Sequence, residues 1–364
     1  EPHKLVQSVQ SVQSEPTPPA PPAPKTELGA LALVGAVLIF SSNGAVYKLM
    51  YANDSEMFSA CNVLCGASLI GLCTLVPIFC KQLTYANVSV ISRTQCIALL
   101  VGTLCYSVLG PLFYLMALQT ITVASAAILS RLESLEFLAL AICFMGETVS
   151  CRVRANALLT FLGIAAALLS PPLFGRPLEF SGGVALMVIS GVFFSTSLLI
   201  TKKYLAEIPT GILACFRVGV GTIIYHVTVL VREDLPGTRF LFTLNYWRQV
   251  WWYGLLYVTL GQAVWLFALA NATPKTISVG TTTLFVLMLI WAMVLLDSFP
   301  TGAQWAGSAF IGTSIVSSIA LAVKEGGRTD KDVADDEEGG GYVALHQEDG
   351  MAPRMSHDAE VRGA

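Results

Sequence analysis

Arg131, Glu133 and Glu136 fall within one short run, LSRLESLEFLALAICFM at residues 129–145, whose other side chains are apolar or serine. A charge at the centre of a bilayer costs about 2.5 to 3.5 kcal/mol on insertion scales, so such groups must face protein or water. On a helix Glu133 and Glu136 are three residues apart and share a face, while Arg131 is turned about 160° from Glu133. Either carboxylate suits a proton acceptor or a ligand for a solute amine, and the arginine suits an anion ligand or counter-charge. A salt bridge that only fixes helix packing is the alternative. Arg217 also lies deep within an apolar stretch; it is a natural partner for Glu133 or Glu136, with solute contact as the other reading. His226 suits a proton relay or, more simply, a hydrogen-bonded packing residue.

A second set of side chains is neutral. Asn43, Tyr47, Ser195 and Thr196 occupy two apolar stretches, and Tyr106, Tyr114, Tyr257, Gln262 and Trp265 occupy two more. Aromatic walls with a few hydrogen-bonding groups fit a small organic solute, although serine and threonine also join helices and Tyr and Trp also mark membrane interfaces. Lys48 and Lys202 stand near the ends of their stretches and read as anchors whose ammonium groups reach the interface. Cys61 and Cys65 share a helix face without a nearby histidine, so they read as small packing residues, and no metal is expected. No glycine-rich loop ending in Lys-Ser/Thr occurs, so neither ATP hydrolysis nor a cofactor is expected.

The elements that must position these groups follow from composition. Hydrophobic residues make up 54% of the 364-residue chain and charged residues 12%, against about 25% charged in an average soluble domain. Apolar blocks near 29–51, 57–80, 95–118, 121–145, 154–173, 181–201, 208–231, 249–270, 276–297 and 303–323 each approach the length that crosses a bilayer. The weakest boundary is the turn between Gln119 and Val123. Residues 1–27 are repetitive and proline-rich, and residues 324–364 carry eleven Asp or Glu against five Lys or Arg; both tails read as disordered. No basic patch suggests nucleic acid. Basic residues such as Lys81, Arg93, Arg152, Arg154, Lys202 and Lys203 favour the face shared by the two tails by about two to one, which predicts both termini in the cytoplasm.

The chain also repeats itself. An offset of 154 places Phe40-Ser41-Ser42 on Phe194-Ser195-Thr196, Lys48 on Lys202 and Ala60-Cys61 on Ala214-Cys215, and an offset of 151 places Tyr106 on Tyr257, Gly110 on Gly261 and Tyr114 on Trp265. Residues 28–173 and 174–323 thus form two halves of five spans. An odd number of spans inverts the second half and predicts an all-α integral membrane protein, ten transmembrane helices in two inverted five-helix repeats.

GPLFYLMALQTITVASAAILSRLESLEFLALAICFMGE from Gly110 and GQAVWLFALANATPKTISVG from Gly261 resemble the two copies of the EamA-type family of the drug/metabolite transporter superfamily. The resemblance implies a carrier in which spans one to four and six to nine surround the solute path while five and ten support it. Glu147 then matches the family's Gly-Glu, with helix capping or loop pairing as its role. Two features depart from that pattern. Ser134 and Phe285 stand where the family often has proline, and the charge-free TTTLFVLMLIWAM from Thr281 replaces the Lys-Arg pair of phosphate exchangers. The expected function is secondary transport of small organic metabolites, amino acids or related solutes, by alternating access with possible proton coupling. The candidate solute-binding residues are Asn43, Tyr47, Tyr114, Arg131, Ser195, Arg217 and Trp265, and the candidate proton-coupling residues are Glu133 and Glu136. Rival readings are nucleotide-sugar or sugar-phosphate exchange and, from another class, an intramembrane enzyme or receptor. The expected partners are the solute and the lipid bilayer.

Overall fold

Apolar stretches of this length fold as helices because the bilayer interior offers backbone groups no partner but one another. A computed structural model of the protein describes residues 26–89, 91–146, 151–173, 182–205, 207–232, 237–271, 274–317 and 320, and among them helices and short connections account for the chain. The acidic tail, all but the last residues of the proline-rich tail, and Glu147 lie outside the described residues.

The first half comprises α1 (Thr26–Asn53), α2 (Ala60–Phe79), α3 (Arg93–Thr120), α4 in two pieces (Val123–Leu129 and Leu132–Met145) and α5 (Cys151–Leu173). The second comprises α6 (Gly182–Tyr204), α7 (Thr210–Arg232), α8 (Leu244–Tyr253, continued by Gly254–Gly261 and Gln262–Asn271), α9 (Pro274–Leu296) and α10 (302–317). Seven of these, α1, α2, α3, α5, α6, α7 and α8, are long and apolar enough to cross a membrane by themselves. The turn between α3 and α4 falls where expected: Thr122 accepts a hydrogen bond from the Ser125 N–H at 3.1 Å and starts the new helix.

The duplication read from the sequence reappears in the packing. Helix α1 packs on α8 and α9, α6 packs on α3 and α4, and α2 packs on α7, so each half contributes the same partners to the other. At the α5–α10 seam the Thr160 and Ser314 hydroxyls meet at 2.8 Å, and a Cβ on Gly163 would stand 2.9 Å from Ile311. The offset of 151 exchanges these two contacts, as expected where a two-fold axis passes between two helices. Five crossings carry the chain to the opposite face, which turns the second half over and lays that axis in the plane of the membrane.

Local irregularities are duplicated as well. Helix α3 loosens into a π turn at Leu104–Leu109 and α8 does so at Gly254–Gly261. Gly110 and Gly261 end these turns, and each takes the ring of an offset-related phenylalanine, Phe194 or Phe40, against its bare α-carbon. The widened turn of α3 frees backbone oxygens, and the Tyr225 hydroxyl lies 3.0 Å from the Ser107 carbonyl and 2.7 Å from that of Val108. Left-handed residues close α4 at Gly146, with φ 67°, and follow α9 at Asp297, with φ 48°. These positions are also 151 apart.

Candidate functional site

Helix α4 breaks where the charges begin, without a proline. The Arg131 N–H bonds the Ile128 carbonyl at 3.1 Å and the Glu133 N–H bonds that of Ser130 at 3.3 Å, a three-residue step within a four-residue helix. The Ser130 and Ser134 hydroxyls donate back to the Ala127 and Arg131 carbonyls at 2.7 and 2.8 Å. Such back-bonding bends helices, and short tightened stretches inside them often mark hinges. Ser134 thus takes part in the bend at the position where the family often has proline.

The break sets the three charges against α6 and α9. The Arg131 guanidinium lies over the Phe285 ring of α9, 5.2 Å from its centroid, and the charges of Arg131 and Glu133 act on each other. Ser195 of α6 donates to the Glu133 backbone carbonyl at 2.8 Å, so this serine joins α6 to α4 instead of lining a path. The Glu136 carboxylate rests against Gly191 of α6, where any side chain would take its place. Glu136 Oε2 is buried there without a hydrogen-bond partner among the described residues.

Arg217 stands apart from the carboxylates. Its guanidinium stacks on the Tyr106 ring of α3 at 4.5 Å and donates to Thr201 Oγ1 at 2.6 Å, with a longer contact to Ser197 Oγ at 3.5 Å. Among the described residues no carboxylate pairs with it, which corrects the expectation of a bridge to Glu133 or Glu136. Tyr106, beneath that guanidinium, meets Phe194 edge to face at 5.6 Å and reaches Gln262 of α8 at 3.5 Å.

Applying the repeat offsets to this group leads to a neutral counterpart. Ser197, Thr201, Arg217 and Tyr106 correspond to Asn43, Tyr47, Val63 and Tyr257. There the Tyr253 hydroxyl donates to Asn43 Oδ1 at 2.5 Å, Ser42 and Tyr257 share a hydrogen bond of 2.9 Å, and Gln119 donates to the Tyr47 hydroxyl at 2.9 Å. The Tyr114 hydroxyl fits against Gly44. A half-open cavity of about 380 Å³ adjoins this group, lined by Val46, Met50, Trp252, Tyr253, Leu256 and Tyr257, with Arg248 and Gln249 also on its wall. Inversion puts the two groups at opposite depths, the neutral one toward the end of α1 and the cationic one toward the start of α7.

The sequence-derived candidates therefore divide. Asn43, Tyr47 and Tyr114 gather around Tyr253 and Tyr257, whereas Glu133, Glu136 and Ser195 meet at the α4–α6 contact. Trp265 does not line the cavity; it packs edge-on to Phe40 at 6.3 Å beside Leu33, Val37 and Ala268. The Lys48 ammonium donates to the carbonyls of Leu118 at 2.5 Å and Ile121 at 3.1 Å, at the end of α3, where the helix dipole favours a cation. His226 Nδ1 hydrogen-bonds the Thr222 carbonyl of its own helix at 2.8 Å. Sequence reasoning missed Ser197 and Thr201, although the 154-residue offset from Asn43 and Tyr47 points to both. It also missed Tyr253 and Gln119, for which the repeat carries no signal.

An inverted, duplicated bundle of apolar helices with charged and hydrogen-bonding side chains in its interior is the architecture common among membrane carriers. The pattern of the EamA-like transporter family matches the chain twice, over residues 27–169 and 181–320. The chain belongs to that family and is a multi-pass transporter, not an enzyme. An uncharacterized transporter of Synechocystis sp. is 25% identical over 287 residues, covering 76% of this chain and 82% of its own length. A solved crystal structure at 18% identity covers 82% of this chain and 99% of its own with a TM-score of 0.57, a likeness of fold.

Proposed function

We propose that this transporter is a secondary carrier of small organic metabolites, of the size and chemistry of amino acids, working by alternating access with Glu133 and Glu136 handling a coupling proton. The observation that carries the reading is the Glu136 carboxylate, one helical turn from Glu133 at a bend in α4, buried against Gly191 with Oε2 unbonded. A carboxylate in such a place binds and releases a proton as its surroundings change. The α4–α6 contact, built from Ser195 to Glu133 and Gly191 to Glu136, supplies the change when it parts. Both termini face the cytoplasm in this reading, and α5 with α10 braces the bundle from outside.

The solute is identified by thermal-shift screening of purified protein across amino acids, nucleotide sugars and sugar phosphates. Proteoliposomes with an imposed pH gradient then test the coupling. At least one of Glu133→Gln and Glu136→Gln reaches the membrane at normal yield yet loses proton-driven accumulation while keeping solute exchange, and the pH dependence of its uptake flattens. If both variants accumulate solute with unchanged pH dependence, the coupling role is wrong. If both fail to fold and recover when Arg131 is neutralised, the charges serve packing. Protease on the cytoplasmic side trims the tail beyond Lys324; protection there reverses the topology.

A further inference from the structure

Arg217 is only 5% exposed, yet its Nε–H has no acceptor among the described residues. A guanidinium offers five N–H donors and accepts nothing, so a buried one with two hydroxyl neighbours and no anion is under-satisfied. Packing does not demand it. The offset-related position in the first half is Val63, fully buried, so the same frame is built there with an aliphatic side chain. A charge retained where the fold accepts valine points to a ligand.

We propose that Arg217, with Thr201 and Tyr106, forms a subsite for the carboxylate group of the transported solute; the inference rests on the carrier reading above and specifies the chemistry of one end of its cargo. A planar fork of N–H groups matches a carboxylate in two parallel hydrogen bonds. Thr201 Oγ1, 2.6 Å from the guanidinium, fixes the fork from the α6 side. One guanidinium balances the single charge of a carboxylate, whereas a phosphate with about −1.5 to −2 charges calls for further cations. The Tyr106 ring lies across the guanidinium and belongs to the π turn of α3, so it acts as a cover that turns aside when the carboxylate arrives.

The test is binding to the purified full-length protein, read by thermal shift. Alanine and phenylalanine are each compared with their methyl esters, which remove the negative charge and little else, and with acetate, chloride and phosphate. At least one free acid stabilises the protein and its ester does not; Arg217→Gln weakens that binding about tenfold or more and Arg217→Lys recovers part of it. Equal shifts from acid and ester, shifts from chloride or phosphate without any from a carboxylate, no shift from any acid, or wild-type binding by Arg217→Gln would each overturn the proposal. Should Arg217→Gln fail to fold, phenylglyoxal labelling of the wild-type protein decides: the stabilising acid protects Arg217, and absence of labelling or of protection refutes the subsite. Because no pH gradient enters this measurement, its outcome is separate from that of the Glu133 and Glu136 coupling test.

Discussion

The surroundings of α1 and of α6 occupy equivalent places in the two halves and hold different chemistry. Around α1, Val37 packs with Leu284 and Leu287 of α9, Val63 fills the place across α2, and tyrosines with Asn43 provide the polarity. Around α6, the same positions hold Gly191, Glu133, Glu136 and Arg217. The Trp291 indole donates to Ser41 at 3.0 Å in the first, and Ser195 donates to the Glu133 carbonyl in the second. Duplication thus kept the frame and divided the labour. The site around α1, completed by α8 and α9, is a neutral aromatic wall beside a cavity, and the site around α6, completed by α4 and α7, holds the titratable and cationic groups.

Copying one site into the other tests this division most severely. Gly191→Val, Arg131→Thr, Glu133→Leu and Glu136→Leu together copy the α1–α9 residues into α6–α4. Replacing a whole group of buried charges by well-packed neutral side chains is often neutral or stabilising by about 1 to 4 kcal/mol, whereas leaving Arg131 alone would strand its charge, so the fourfold variant folds with an equal or higher Tm. Its proton-driven uptake falls below detection, as measured in proteoliposomes. The reverse copy, Val63→Arg, puts a second cation beside a fully buried site and costs about 2.5 to 3.5 kcal/mol on insertion scales, read as a lower Tm and reduced yield. The smallest effect belongs to Tyr253→Phe, which removes one hydrogen bond to Asn43. Interhelical hydrogen bonds in membranes average about 0.6 kcal/mol, so the Tm drops slightly while solute affinity shifts modestly. A large loss of uptake in that variant would place the principal solute contact in the neutral site and blur the contrast.

Helix count, the pairing of halves and the turn at Thr122 could be read from the sequence, because hydrophobic length and repeated residue order carry them directly. The bend in α4 could not. It comes from Ser130 and Ser134 bonding their own helix, and serine in a helix gives no such sign until its rotamer is known. The π turns were equally hidden, since Leu104–Leu109 and Gly254–Gly261 look like ordinary helical sequence apart from the glycines that follow or end them. At the site, the sequence put Arg131, Glu133, Glu136 and Arg217 on helices of the bundle but did not give their partners. Ser195 is committed to a backbone carbonyl, Lys48 to the end of α3, and Arg217 to Tyr106 and Thr201 instead of a carboxylate. Each depends on which of several reachable neighbours a long or rotatable side chain meets, and spacing along one chain does not decide that.

The seam between α5 and α10, where the axis lies, has a consequence for the balance between states. Were the halves identical, rocking one against the other would interchange the inward-facing and outward-facing forms, and symmetry would give them equal populations. Every bias in the resting distribution must then come from positions at which the halves differ, and a few kcal/mol there is enough to leave the minor form at the per cent level or below. Gly191 against Val37, Glu136 against Leu287 and Arg217 against Val63 are such positions. In the alternating-access reading proposed above, the resting orientation is set where the halves differ, and protonation of Glu136 or an anion at Arg217 re-weights the two forms without remodelling the fold.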